Sequence, residues 1–505
     1  MSDTKKNSNE HGKPIHRSQV LKGVGWNVFE IIARGGFKFI AKLILARIIL
    51  PEHFGLVGMA VVFTGLAETI NELGLGAALI QIKEDKLKEI HFSTAFVCTL
   101  VFGWVSFLAM AVIIGPIVSD FYNEPILHSV IVVLSLPIIL KPLTLVHRVK
   151  LMRKLNFKPI SIIESFASVV AGVAGIIMAI LGFGVWSIAL QGIIAALVTI
   201  PLMWRVEPWT LKRDFSKEAF SDIFNFGAFV LVKNVTNYFA GNVDYFIIGK
   251  ILGGYYLGIY TLAFTLTDVF RSQLMGVMNK VMFPVYAKVQ HDTQLAGRYY
   301  LKIIRYNTLL ILPIMGCMAI YAGQLTAIFF GTKWIEMVLP LQMLSISVFF
   351  HVATGSLSTV LTGLGKVKVD FSFYLAKTFI ITVPALLLGI HYWGINGAAI
   401  AILVSKFLSF IINIFISRYY IAVKAWEIVN AIVPASVGTI ALWIASLILN
   451  RFFGSPDNIL LLVVYGFVLM LVYMMIILPF TGKEILELYN WLIKKAKRKK
   501  LGSIQ

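Results

Sequence analysis

Apolar positions fill this chain in runs too long for the core of a soluble domain. Windows of about 20 apolar residues, the length a helix needs to cross a bilayer, recur fourteen times between Gly, Pro and charged breaks. They cover residues 24–49, 54–73, 92–118, 126–146, 159–181, 184–204, 224–249, 255–280, 304–330, 336–364, 371–391, 394–417, 428–449 and 459–480. The pattern predicts an all-α polytopic membrane protein with about fourteen transmembrane helices, and an even number of spans puts both termini on one side. Lys and Arg choose the side, because they concentrate in cytoplasmic loops. With the termini inside, the cytoplasmic segments hold Lys83, Lys86 and Lys88, then Arg148, Lys150, Arg153, Lys154 and Lys158, then Arg205, Lys212, Arg213 and Lys217, and finally the tail KKAKRKK. The opposite loops hold only Lys250, Lys333 and Arg451.

Within the spans an internal repeat is visible. LGFGVWSIALQ (181–191) matches LGIHYWGINGA (388–398) at Leu, Gly, Trp and Ile with one offset, and each stretch joins the fifth and sixth spans of a block. ILPEHFGL (49–56) and ILGGYYLGI (251–259) match with a one-residue slip, each between a block's first two spans. Six spans separate the copies, so the blocks run parallel, related by an axis along the membrane normal, an arrangement found in transporters with a site between halves. The expected organisation is a cytoplasmic N-terminal tail (1–20), a six-helix half (21–204), a cytoplasmic linker (205–223), a second six-helix half (224–420) and two additional helices (421–480). A basic tail (481–505) follows. In it, TGKEILELYNWLIKKAKRKK opens on a capping-box pattern, Thr481 to Glu484. Its Ile485, Leu488, Trp491 and Leu492 predict an amphipathic helix on the inner leaflet, held by lysines to anionic lipid; the alternative is a solvated basic tail that only enforces topology.

Composition supports the membrane reading. Of 505 residues, 58% are hydrophobic and 14% charged, against about 25% charged in soluble domains, and the mean hydropathy is +0.83. The net charge of +20 is mostly loop charge of one parity, so no nucleic-acid partner is expected. The polar, basic first twenty residues lack the apolar core of a signal peptide. Cys98 and Cys317 lie in apolar segments without metal or redox spacing, which predicts no metal site and no disulfide framework. No HExxH or Walker A pattern occurs, and GLGK at 363–366 runs into Val367 without the upstream glycine. Neither catalytic residues nor a cofactor is expected.

The charges inside the spans carry the chemistry. Glu30, Arg34, Lys38 and Lys42 recur every fourth residue in the first span and share one slanting helix face. Each mid-span cation costs roughly 2.5–3.5 kcal/mol on insertion scales, so these residues should face water or protein. The seventh span, first of the second block, is also polar, with Lys233, Asn234, Asn237, Asn242 and Asp244. A cavity lined by Arg34, Lys38, Lys42, Lys141, Lys233 and Arg271 would be net cationic and would take an anionic substrate. Glu30, Glu68, Asn234, Asn237, Asp244 and Asp268 are its polar, ion-pairing or ion-coupling candidates, with Glu72 and Glu164 as further acid partners for the lysines. Trp26, Phe37, Tyr238, Tyr245 and Tyr374 are candidates for stacking on sugars, or for packing.

Three stretches carry a family resemblance: ARIILPEHFGLVGMAVVFTGLAETINELGLGAALIQ (46–81), RKLNFKPISIIESFASVVAGVAGIIMAILGFGVWSIALQ (153–191) and VDYFIIGKILGGYYLGIYTLAF (243–264). They resemble the polysaccharide transport, or Wzx-type flippase, family of the multidrug/oligosaccharidyl-lipid/polysaccharide exporter superfamily, in the subgroup of colanic acid and teichuronic acid exporters. The likeness spans roughly residues 18–480. It implies two parallel six-helix bundles plus two C-terminal helices, in the bacterial plasma membrane. The implied activity is translocation of an undecaprenyl-diphosphate-linked oligosaccharide by alternating access, with H⁺ or Na⁺ as a coupling-ion candidate and a polymerase or other polysaccharide-assembly proteins as partner candidates. The alternatives are an ion-coupled drug or metabolite antiporter of the same superfamily and a flippase for the lipid-linked peptidoglycan precursor. A membrane scaffold without transport is a further alternative.

Overall fold

The computed structural model describes residues 35–71, 75–210 and 214–501, and every regular element among them is helical. The chain divides into two compact units: residues up to Leu45 with Phe63–Tyr238, and Ala46–Val62 with residues from Phe239 onward. Among the described residues ten helices are long and apolar enough to cross a membrane, or eleven if the pair Pro125–Leu140 and Pro142–Arg153, bent by 43°, is one span. Part of the difference from the fourteen windows has a local cause. The helix Val243–Lys288 joins the end of the predicted span 224–249 to the whole of 255–280 and is interrupted only at Gly253 (φ 82°). The helix Val383–Ile421 is likewise interrupted at Trp393 and Gly394 (φ 55°). Left-handed φ is open to glycine without steric cost, so each loop read from the sequence shrinks to a one- or two-residue break. The first window begins outside the described residues and is helical from residue 35 to 48.

The first unit is built on α1 (35–48), α2 (Pro51–Asn71), α3 (Leu75–Gln81), α4 (Glu89–Leu108), α5 (Gly115–Tyr122), α6 (Pro125–Leu140), α7 (Pro142–Arg153), α8 (Phe157–Ile180), α9 (Trp186–Ala189), α10 (Gln191–Val206) and α11 (Lys217–Gly241). Residues 46–62 of α1 and α2 group instead with the second unit. Leu75, Leu79, Phe92, Phe96, Val146, Val149 and Trp209 form one of its cores. A π-turn, Ala109–Ile114, joins α4 to α5. Its cause is Pro116, which lacks an N–H and crowds the carbonyl one turn back. Gly115 N–H donates to Met110 O, and the next acceptor in that pattern, Ala111 O, would need the N–H that Pro116 does not have. His128 Nε2 donates to it instead, at 2.8 Å.

Arg148, Lys150 and Arg153, counted above as loop charges, lie on α7, which continues past the predicted span end at 146. Each ties down a neighbour. Arg148 pairs with Glu164 of α8 at 2.6 Å and Lys150 with Glu89 of α4 at 2.7 Å. Arg153 Nη1 donates to the carbonyls of Leu79, Ile80 and Ile82 at 2.8–3.1 Å, capping the end of α3, where carbonyls have no helical partner.

The second unit continues with α12 (Val243–Lys288), α13 (Thr293–Ile320), α14 (Ala322–Leu325), α15 (Val338–Thr354), α16 (Leu357–Gly363), α17 (Val367–Ala376), α18 (Val383–Ile421), α19 (Ala425–Phe453) and α20 (Ile459–Leu501). A core of Tyr286, Tyr300, Ile304, Val360, Leu361 and Ile428 sits among α12, α13, α16 and α19. A second core, including Tyr321, Leu442, Leu469 and Tyr473, binds α19 to α20. Both matched stretches, 181–191 and 388–398, are helix breaks. The first turns at Gly182 and Gly184, the second at Gly394. Gly389, aligned with Gly182, does not turn the chain. A Cβ on it would lie 2.4 Å from Gly397 O, so it permits close packing across the break. The basic tail is helical and continuous with the last span to Leu501. Its docking on lipid stays an expectation.

Candidate functional site

Within the second unit, charged side chains from α12, α15, α18 and the π-turn Lys377–Thr382 come together. Asp244, in the first turn of α12, is buried and accepts a hydrogen bond from Tyr260 Oη at 2.6 Å. Two turns beyond Tyr260, Asp268 and Arg271 form an i,i+3 ion pair on α12. Arg271 Nη1 also lies 2.5 Å from His351 Nε2 on α15. A guanidinium only donates, so that nitrogen is the acceptor and the ring carries its proton on Nδ1.

Lys377 opens the π-turn, its Nζ 5.1 Å from the centre of the Tyr374 ring. Lys406, on α18, is within electrostatic range of Lys377, Arg271, Asp244 and Asp268. Lys377 is also within electrostatic range of Asp370, so Arg271, Lys377 and Lys406 gather among the carboxylates of Asp244, Asp268 and Asp370. Arg271, Lys377 and Lys406 are each partly exposed. Such a group can receive an anion: Arg presents a planar fork of N–H donors and Lys a point charge.

Of the residues predicted from sequence, Asp244, Asp268 and Arg271 belong to this cluster. Lys377, Lys406 and His351 do as well, none of them among the residues predicted from sequence. The signal for the lysines was present, since each stands mid-span with no acid at i±4. No sequence signal marks His351. Its importance comes from facing Arg271 eighty positions away.

Apart from Tyr245 and Tyr374, the remaining candidates fall in the first unit. On α1, Lys38 is exposed and Lys42 half-buried. Phe37 and Ala41 of the same helix lie against Gly172 of α8, where a Cβ would meet Phe37 Cε1 at 2.6 Å. Phe37 is therefore a packing residue. Lys141 Nζ pairs with Glu68 at 2.6 Å, which engages one proposed ligand with one proposed acid. Tyr238 places its hydroxyl over Gly65. Asn234 is exposed and Asn237 half-buried on α11. Tyr245, in the second unit, packs edge-on against Tyr260 and Phe264. Trp26, Glu30, Arg34 and Glu72 lie outside the described residues, as does the side chain of Lys233. Among the described residues no group of His, Cys, Asp and Glu has the makings of a metal site.

The chain is 24% identical to the lipopolysaccharide biosynthesis protein WzxC of Escherichia coli (strain K12), over 79% of this chain and 81% of that one. In fold it is similar to the lipid II flippase MurJ in an inward closed conformation, with TM-score 0.70 and 13% identity over 92% of this chain and 100% of that one. It is likewise similar to an inward-facing multidrug resistance MATE family transporter of the MOP superfamily, with TM-score 0.60 and 16% identity over 78% of this chain and 98% of that one. A family model described as polysaccharide biosynthesis protein matches residues 44–339. That match covers more than half of the chain, which accordingly belongs to the polysaccharide biosynthesis protein family.

Proposed function

We propose that this protein flips an undecaprenyl-diphosphate-linked oligosaccharide from the inner to the outer leaflet of a bacterial plasma membrane by alternating access. The polymer it serves is an exopolysaccharide, O-antigen or teichuronic-type glycan. The observation that carries the reading is the cluster of Arg271, Lys377 and Lys406 on apolar spans of a polysaccharide biosynthesis family member. Three mid-span cations cost on the order of 8–10 kcal/mol facing lipid, a cost that a substrate diphosphate offsets in part when it binds them. In the first unit Lys38 and Lys42 on α1 make a cationic stretch of their own, and the polyprenyl tail stays in lipid. The proposed topology is six plus six plus two spans with both termini cytoplasmic, in keeping with the Lys and Arg asymmetry of the loops.

The test is flipping of a labelled undecaprenyl-diphosphate oligosaccharide in proteoliposomes, with leaflet position read by an impermeant reagent. Wild type is expected to flip it. Lys377→Gln with Lys406→Gln is expected to lose at least about tenfold in rate, the size of one charge-assisted hydrogen bond, while inserting normally. Lys38→Gln with Lys42→Gln is the parallel test of α1. A wild type that flips none of several such glycans, but moves lipid II or a cationic drug, overturns the substrate assignment.

A further inference from the structure

Residues 46–62 group with the second unit while the chain on both sides of them groups with the first, and every contact below lies within the second. Helix α2 starts at Pro51 directly against the part of α12 that follows its Gly253 break. A Cβ on Gly55 would lie 1.7 Å from Gly254 O, one on Gly258 1.8 Å from Pro51 O, and one on Gly58 3.1 Å from Thr261 Oγ1. Gly258 follows Gly55, Gly254 follows Pro51 and Thr261 follows Gly58 by the same 203 positions. The contact is therefore reciprocal: the two copies of the repeat, ILPEHFGL and ILGGYYLGI, meet each other across a local two-fold relation.

The turn between α1 and α2 is held from a third direction. The last carbonyls of a helix have no partner within it and favour a positive charge. Trp334 Nε1 donates to Ala46 O at 2.8 Å. Lys333 Nζ donates to Arg47 O and Ile49 O, both at 2.9 Å. The Trp334 ring is fully buried and stands edge-on to Phe54 of α2, 5.5 Å between centres. One short segment thus clasps the end of α1 and the start of α2 together.

We propose that residues 46–62 are the moving part of a gate, latched by Lys333 and Trp334 and sealed by the glycine contact, and that translocation requires its release. The inference rests on the transport reading above and adds the device that closes one face of the membrane, the face opposite the termini in the proposed topology. Two features suit it to reversible opening. A contact between glycines and carbonyls has no interlocking side chains to withdraw, and the helix-end carbonyls, once released, can be satisfied by water.

Two measurements test it, in a background with Cys98 and Cys317 replaced by Ala. First, Thr261→Cys is a thiol at a buried position, reached by a thiol reagent in detergent only when α2 lifts away. Its labelling is expected to be about tenfold faster with Lys333→Ala, the scale of losing a charge-assisted hydrogen bond, and near the starting rate with Lys333→Arg. Equal rates with Lys333 and Lys333→Ala overturn the latch. Second, Gly58→Cys with Thr261→Cys brings two Cβ atoms to within reach of a disulfide, which spans about 3.5–4.5 Å. Oxidation is expected to stop lipid flipping and reduction to restore it. A cross-linked protein that flips at the reduced rate overturns the gate, and this arm decides alone if Lys333→Ala does not fold. Labelling needs no substrate, so a wild type that flips no lipid while Lys333→Ala still accelerates labelling sinks the flippase reading and leaves the latch standing.

Discussion

A buried carboxylate is stable only with donors around it, and Asp244 has Tyr260 Oη at 2.6 Å. Tyr260→Phe removes that donor while keeping the ring that stacks on Phe264. It is expected to destabilise the protein by about 1–3 kcal/mol, read as a lower melting temperature in detergent, whereas Tyr245→Phe, which leaves the Tyr260 hydroxyl in place, serves as the control. At this scale the sequence revealed which residues are costly but not whom they meet. Lys141 and Lys406 look alike as lone span cations. Yet Lys141 sits on Glu68, seventy-three positions back, and Lys406 among Lys377, Arg271, Asp244 and Asp268. Partners so distant in sequence leave no periodic trace, which is why Lys377, Lys406 and His351 are not among the residues predicted from sequence.

At the scale of elements, irregularities come from single residues whose chemistry is readable. Gly253 and Gly394 interrupt long helices where loops were expected, and Pro116 forces the π-turn between α4 and α5. What was not readable is the repair, His128 on α6 donating to Ala111 O. The two residues should therefore be coupled. His128→Leu is expected to cost about 1–3 kcal/mol by leaving a carbonyl unsatisfied in an apolar setting, and clearly less in a Pro116→Ala background, where residue 116 supplies an N–H. A double-mutant cycle on melting temperature measures the difference, and additive effects would show that the π-turn has another cause. Gly55→Ala and Gly258→Ala belong to the same scale. Each puts a methyl within 2 Å of a backbone carbonyl, and α2 must move off α12 to admit it. Overpacking of this kind costs about 1–3 kcal/mol or more, and labelling of Thr261→Cys should rise with either change.

Across the whole molecule, the proposed topology, argued from the loop charge asymmetry, predicts that reporters fused at residues 1 and 505 are both protected in right-side-out vesicles. Accessibility of either to an impermeant reagent there would break the six plus six plus two layout. The hydrophobic pattern by itself determined that this is an all-helical membrane chain, and the matched stretches pointed to its family. Both are local, one-dimensional properties: the length of an apolar run, the cost of a charge within it, a glycine at a turn. Only the tertiary structure decided which cations are neutralised and which collect around Arg271, and that the two copies of the repeat touch at Gly55 and Gly258 under the hold of Lys333 and Trp334. Those outcomes depend on residues tens to hundreds of positions apart arriving at one place, and no spacing along the chain records such a meeting.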